Sequence, residues 1–270
     1  MVLLLFLVSG ASLHAQWLNY PSPRTPRTKD GKPDLQAKAP RRAGRPDLSG
    51  VWQVQPIPGD VERILGKLDV DVVPGDDPAT FSKYFFNILA DFPADHALLR
   101  PEALAKMQNR PKNYVPPDER CLPEGIPRAE LLAFPFKIVQ TPEELVVLYE
   151  VDNTRRQIYT DGRPLPADPN PAWLGYSVGR WEGDTLVVDT TGFNDEVPID
   201  AGGHPHSDGL HIQERFRRVD FGHMDLRITI DDRKMYTQPI TFQVTQRLMP
   251  DSDILELFCN ENEKDRGHIQ

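Results

Sequence analysis

Residues 211–248 read HIQERFRRVDFGHMDLRITIDDRKMYTQPITFQVTQRL, and their alternation decides the fold. In 240–248, Ile240, Phe242, Val244 and Leu248 fall on one side, and Thr241, Gln243, Thr245 and Arg247 on the other. Over 225–231, Leu226, Ile228 and Ile230 oppose Arg227 and Thr229. In 211–218, Ile212, Glu214 and Phe216 share one face, while His211, Gln213 and Arg215 share the other. A period of two is the mark of a β-strand, whose successive side chains point to opposite faces. The turn signal Asp220-Phe221-Gly222 leaves room only for an antiparallel connection between the first two runs.

The pattern extends outward in both directions. Strand-like runs occur at 136–140, 144–151, 154–160, 175–181 and 184–190, and again at 253–259. Turn signals such as Thr141-Pro142-Glu143, Asp152-Asn153, Glu182-Gly183-Asp184 and Pro250-Asp251-Ser252 punctuate them. This is an up-and-down meander, and a sheet of that length removes its exposed edges by closing into a barrel. Upstream, Leu48-Ser49-Gly50-Val51-Trp52-Gln53-Val54 places a Gly-x-Trp at the head of an apolar strand. Lipocalin-like barrels resemble this, with the tryptophan plugging one end. The expected fold is mainly β, an antiparallel meander closing into a lipocalin-like barrel, preceded by one or two short helices and long Pro-rich loops. Helical spacing is confined to 79–92 and 101–110, where Pro101 and Glu102 suit a first turn. A single β-rich domain over 46–270 follows, with a helical and irregular insertion at about 79–135.

Composition narrows the setting. The net charge is −9, yet residues 24–45 hold eight Lys or Arg against Asp30 and Asp34, a net +6, so the remainder carries −15. An acidic body argues against a nucleic-acid partner. Residues 16–45 read as a basic, Pro-rich, solvated linker. Residues 1–15, MVLLLFLVSGASLHA, have the apolar run and small residues of a secretory signal peptide, although they lack a basic n-region. The run is too short to span a bilayer, and no other segment is long enough. A secreted or periplasmic location follows. In such an oxidising compartment Cys121 and Cys259 read as a disulfide, the alternative being two buried free thiols.

Reactive side chains concentrate in Gly202–Phe216, which holds three of the seven histidines. His204, His206 and His211 can supply three imidazoles to Zn or another divalent transition metal. His206, Asp208 and His211 can instead rim a pocket as acid–base groups, with Glu214 and Asp189 as acids set among apolar neighbours. An ion pair with one of the many arginines, for example Arg180, Arg215 or Arg227, is the structural alternative for each acid. Strand alternation turns His211 and Glu214 to opposite faces. Trp181, Phe193, Tyr176 and Arg215 are the candidate ligand-binding side chains. No Gly-x-Ser-x-Gly, P-loop, dinucleotide fingerprint or His-Glu-x-x-His occurs.

Several stretches taken together resemble a large family of uncharacterised exported proteins of soil bacteria. They are Pro46–Trp52 (PDLSGVW), Cys121–Arg128 (CLPEGIPR), Phe134–Pro142, Gly175–Asp195 (GYSVGRWEGDTLVVDTTGFND) and His206–Phe216 (HSDGLHIQERF). The resemblance implies export and supports the cysteine bridge; it implies no activity. Three functions remain in competition. One is a barrel binding a small organic ligand. Another is a lyase, isomerase or hydrolase using the His/Asp/Glu cluster for proton transfer, with or without a metal. The third is an envelope protein that docks through residues 24–45.

Overall fold

The computed structural model describes residues 20–66, 80–92, 98–116 and 118–259. The leader expected at 1–15 lies outside them. Eleven strands and four short helices are present among the described residues. Strands β1 (Arg41–Arg42) and β2 (Arg45–Pro46) form a small ribbon. The others are β3 (Gly50–Gln55), β4 (Phe136–Gln140), β5 (Glu144–Tyr149), β6 (Arg155–Tyr159), β7 (Tyr176–Glu182), β8 (Thr185–Thr191), β9 (His211–Arg218), β10 (His223–Asp231) and β11 (Ile240–Leu248). These nine close into a barrel in the order β3-β4-β5-β6-β7-β8-β9-β10-β11, with β11 returning to β3. The helices are α1 (Asp60–Leu65), α2 (Lys83–Phe86), α3 (Pro101–Gln108) and α4 (Arg128–Leu131). The expected mainly β, lipocalin-like barrel is therefore present.

One junction departs from the expected meander. β6 and β7 run parallel and pair over only two positions, Ile158 with Ser177 and Tyr159 with Val178. The reason is arithmetic. Strand direction must alternate around an all-antiparallel barrel, so an odd number of strands cannot close without a parallel neighbour. The run expected at 253–259 would have made the count even, but it forms no strand. Side chains hold it instead: Glu150 accepts from the Leu255 amide, Asn153 donates to the Leu257 carbonyl, and Cys259 is bonded to Cys121. The parallel pair also needs a long crossover, which the Pro-rich residues 160–175 provide.

One barrel end is covered by its own side chains and by the N-terminal segment. There Trp52 is fully buried and donates from Nε1 to the Leu48 carbonyl at 2.9 Å. The Arg218 guanidinium lies 4.9 Å from its ring centroid and donates to the carbonyls of Ser49 and Asp220. Gly50 has φ 147, and a Cβ there would stand 2.5 Å from Leu248 Cδ1, so only glycine fits this close approach. The described part of the stretch read as a linker, from residue 20 on, is held against this end. Gly222 and Phe221 donate to the carbonyls of Leu35 and Ala37 at 2.7 Å, Arg27 pairs with Asp251, and Arg41 makes a forked pair with Asp184. Its basic residues meet acidic turns of the barrel, which is why a polar segment is ordered there.

The insertion enters the barrel from the side of α4. Residues 124–133 are all buried, and α4 lies within the barrel wall's reach, with the Glu130 carbonyl accepting from Gln246 of β11 at 2.8 Å. The barrel is thus filled by its own chain.

Candidate functional site

The barrel interior holds a layer of polar side chains centred on Arg156 of β6. Its Nε donates to Ser177 of β7 at 3.0 Å, Nη2 to Thr190 of β8 at 2.8 Å, and Nη1 to both Glu214 of β9 and Glu130 of α4 at 3.0 and 3.1 Å. Nη2 and Glu214 Oε2 close a second, very short contact, so the Arg156–Glu214 pair is a forked one. Tyr149 donates to Glu130 at 2.5 Å. The exposure of Arg156, Glu130 and Glu214 is 2%, 2% and 0%, so the layer is buried. Burial, then the neighbouring Glu214 carboxylate, push the Glu130 carboxyl up to about 8. Glu130 Oε2 and Gln246 Oε1 have no hydrogen-bond partner among the described residues. A proton on Oε2 turns one of these unmet acceptors into a donor. The expected ion pair of Glu214 with an arginine is therefore present, and the arginine is Arg156.

The other residues singled out by sequence disperse. Asp189 lies on the outer wall, where it accepts from His211 Nε2 and Gln213, both at 2.9 Å, and from Arg180. The His211 bond, with help from Gln213 and Arg180, holds its carboxyl far below the usual range against a partial burial penalty. Asp208 is exposed and pairs with Lys234 at 2.6 Å. Arg215 pairs with Glu182 at 2.8 Å on the outer surface. Trp181 lies beneath the Arg45 guanidinium at 5.7 Å, under the N-terminal segment. His206, Asp208 and His211 thus form no common rim.

The three histidines are engaged by three different groups. His204 is buried, with Nδ1 2.5 Å from Asp200. His206 is buried against the Ser207 carbonyl, and His211 is bound to Asp189. Among the described residues no group of three or more His, Cys, Asp or Glu side chains is placed to hold a metal ion. The adjacent loop explains the dispersal. Asp200 accepts from the Ile88 and His204 amides, and Asp232 accepts from the Ser207 amide and hydroxyl. Two buried carboxylates therefore fix the loop backbone, and the imidazoles follow it.

One of the three does face a cavity. His206 lines a cleft of about 580 Å³ between α3 and residues 195–206. Lys106 of α3 donates to the His206 carbonyl at 2.9 Å and pairs with Asp195 at 3.3 Å. Arg110 donates to the Gly203 carbonyl at 2.8 Å and stacks on Tyr114. Phe193 meets the imidazole edge-on at 6.1 Å. The Ser207 carbonyl can only accept, so its 3.1 Å contact assigns the hydrogen to Nδ1. Nε2 then carries a lone pair, and the hydrogen bond of the ring among the described residues is the one through Nδ1. Burial lowers the pKa of the ring, with the Lys106 cation acting in the same sense, so the imidazole is neutral near pH 7. A neutral, oriented imidazole can accept a hydrogen bond or a proton from a molecule in the cleft. Sequence reading found His206 through the histidine density; it missed Lys106 on α3 and Arg110 just beyond it, in a stretch that gave no chemical signal.

No protein-family model, no curated protein and no solved structure matches this chain.

Proposed function

We propose that the protein is an exported β-barrel that binds a small organic ligand in the cleft beside His206. One observation carries the reading: an oriented neutral imidazole with a lone pair on Nε2 lines a cleft bearing both Lys106 and Asp195. Such a cleft suits a compact polar molecule with a hydroxyl or N–H donor for Nε2. Export is supported by the Cys121–Cys259 disulfide and by the apolar leader-like run at 1–15. Among the described residues no helix is long and apolar enough to cross a membrane. The test is a thermal-shift screen of small hydroxy acids and amino acids against the wild type and His206→Gln. A hit that raises Tm in the wild type and loses at least about tenfold in affinity in His206→Gln supports the reading. Hits that bind both proteins equally would remove it.

The second reading is proton-transfer catalysis in the same cleft, and the Nε2 lone pair is the observation that favours it. It differs in outcome: a bound hit would be converted by the wild type and bound but unconverted by His206→Gln.

A further inference from the structure

The parallel junction between β6 and β7 leaves a second cavity in the barrel wall. Because these strands pair at only two positions, the chain on either side diverges below Ile158 and Ser177. The opening holds a pocket of about 450 Å³. Among the described residues its lining contains no aspartate and no glutamate, although the chain carries a net charge of −9. It contains two arginines, two tyrosines and one tryptophan.

Their states differ. Arg156 is committed to the interior layer. Tyr159 and Tyr176 meet at a tilt with centroids 5.4 Å apart and are braced by Arg163, which lies 3.7 Å from the Tyr159 ring centroid and donates to the Tyr176 hydroxyl. Arg163 is itself held by Asp161. That leaves Arg155 and Trp173. Neither has a side-chain hydrogen bond, ion pair or ring contact among the described residues; Arg155 is exposed and Trp173 half-buried. A guanidinium without a counter-ion beside a half-buried indole without a stacking partner offers two complementary contacts. One is forked and takes a carboxylate; the other is flat and takes a ring.

We propose that the β6–β7 seam is a binding site for a small aromatic carboxylate. Arg155 takes the carboxylate and the indole of Trp173 takes the ring face. Tyr159 and Tyr176, braced by Arg163, form another part of the wall. The site is separate from the His206 cleft and does not depend on it.

Benzoate is the probe, titrated calorimetrically into the full chain near neutral pH. The expected result is saturable binding that weakens about tenfold or more in Arg155→Gln and, separately, in Trp173→Leu. Both positions lie on the surface of the seam, and unchanged far-UV circular dichroism checks that the variants fold. Cyclohexanecarboxylate keeps the charge but loses the flat face, and benzyl alcohol keeps the face but loses the charge. Each is expected to bind more weakly than benzoate. His206→Gln is expected to bind benzoate as the wild type does. The proposal is overturned if benzoate does not saturate, or if both seam variants titrate like the wild type. Displacement of benzoate by inorganic phosphate at equal concentration would also overturn it, because the site would then read charge alone.

Discussion

Arg156 is the residue on which the interior depends. It faces two carboxylates, and its forked pair with Glu214 leaves Glu130 as the group that keeps a proton. Arg156→Met should strand Glu214 in the core and destabilise the protein by about 3–5 kcal/mol in urea unfolding at pH 7. Glu130 makes the opposite kind of prediction. Its pKa is raised from 4.5 to about 8 on folding. Between those values the unfolded chain has released the proton that the native state retains. Its contribution to stability is therefore fully present below the unfolded pKa and is lost as pH rises toward 8. Glu130→Gln should flatten that part of the stability–pH profile, measured by urea midpoints across the range, and leave the fold intact. Sequence alternation placed Glu214 on the inner face with Ile212 and Phe216, as observed. Its partner could not be read in the same way, because Arg156 and Glu130 come from a different strand and from the insertion.

Elements show the same division. The strands at 136–140, 211–218, 223–231 and 240–248 have the bounds expected from alternation. Among the described residues of the stretch expected to be helical at 79–92, the α-helix is Lys83–Phe86, capped by Ser82. The N-terminal segment gave no periodic signal, since its order comes from contacts with residues far along the chain. Gly222 is the tightest of these: a Cβ there would stand 2.4 Å from that of Leu35. Gly222→Ala should push residues 34–37 off the barrel end. Trypsin is expected to cut faster within Arg24–Arg45, while the barrel's own unfolding midpoint moves little, as limited proteolysis beside denaturant titration would show.

At the scale of the whole molecule, the Cys121–Cys259 bond ties the entrance of the plug to the segment after β11 across a separation of 138 residues. Chain entropy assigns such a loop about 4–5 kcal/mol. A Cys121→Ser/Cys259→Ser variant should lose stability of that order, and reductant should have no further effect on it, as urea titration with and without reductant would show. The amino-acid sequence alone determined the strand faces, the barrel, the pairing of the two cysteines and the buried setting of Glu214. All of these follow from period-two patterning or from cysteine count, which are local or compositional. Tertiary structure alone decided that nine strands close and not ten, which forces the parallel seam and opens its pocket. It also decided that α4 fills the barrel, and that the three histidines separate while His206 meets a cavity. These outcomes depend on which distant segments share the interior, and geometric closure settles that, not neighbours in sequence.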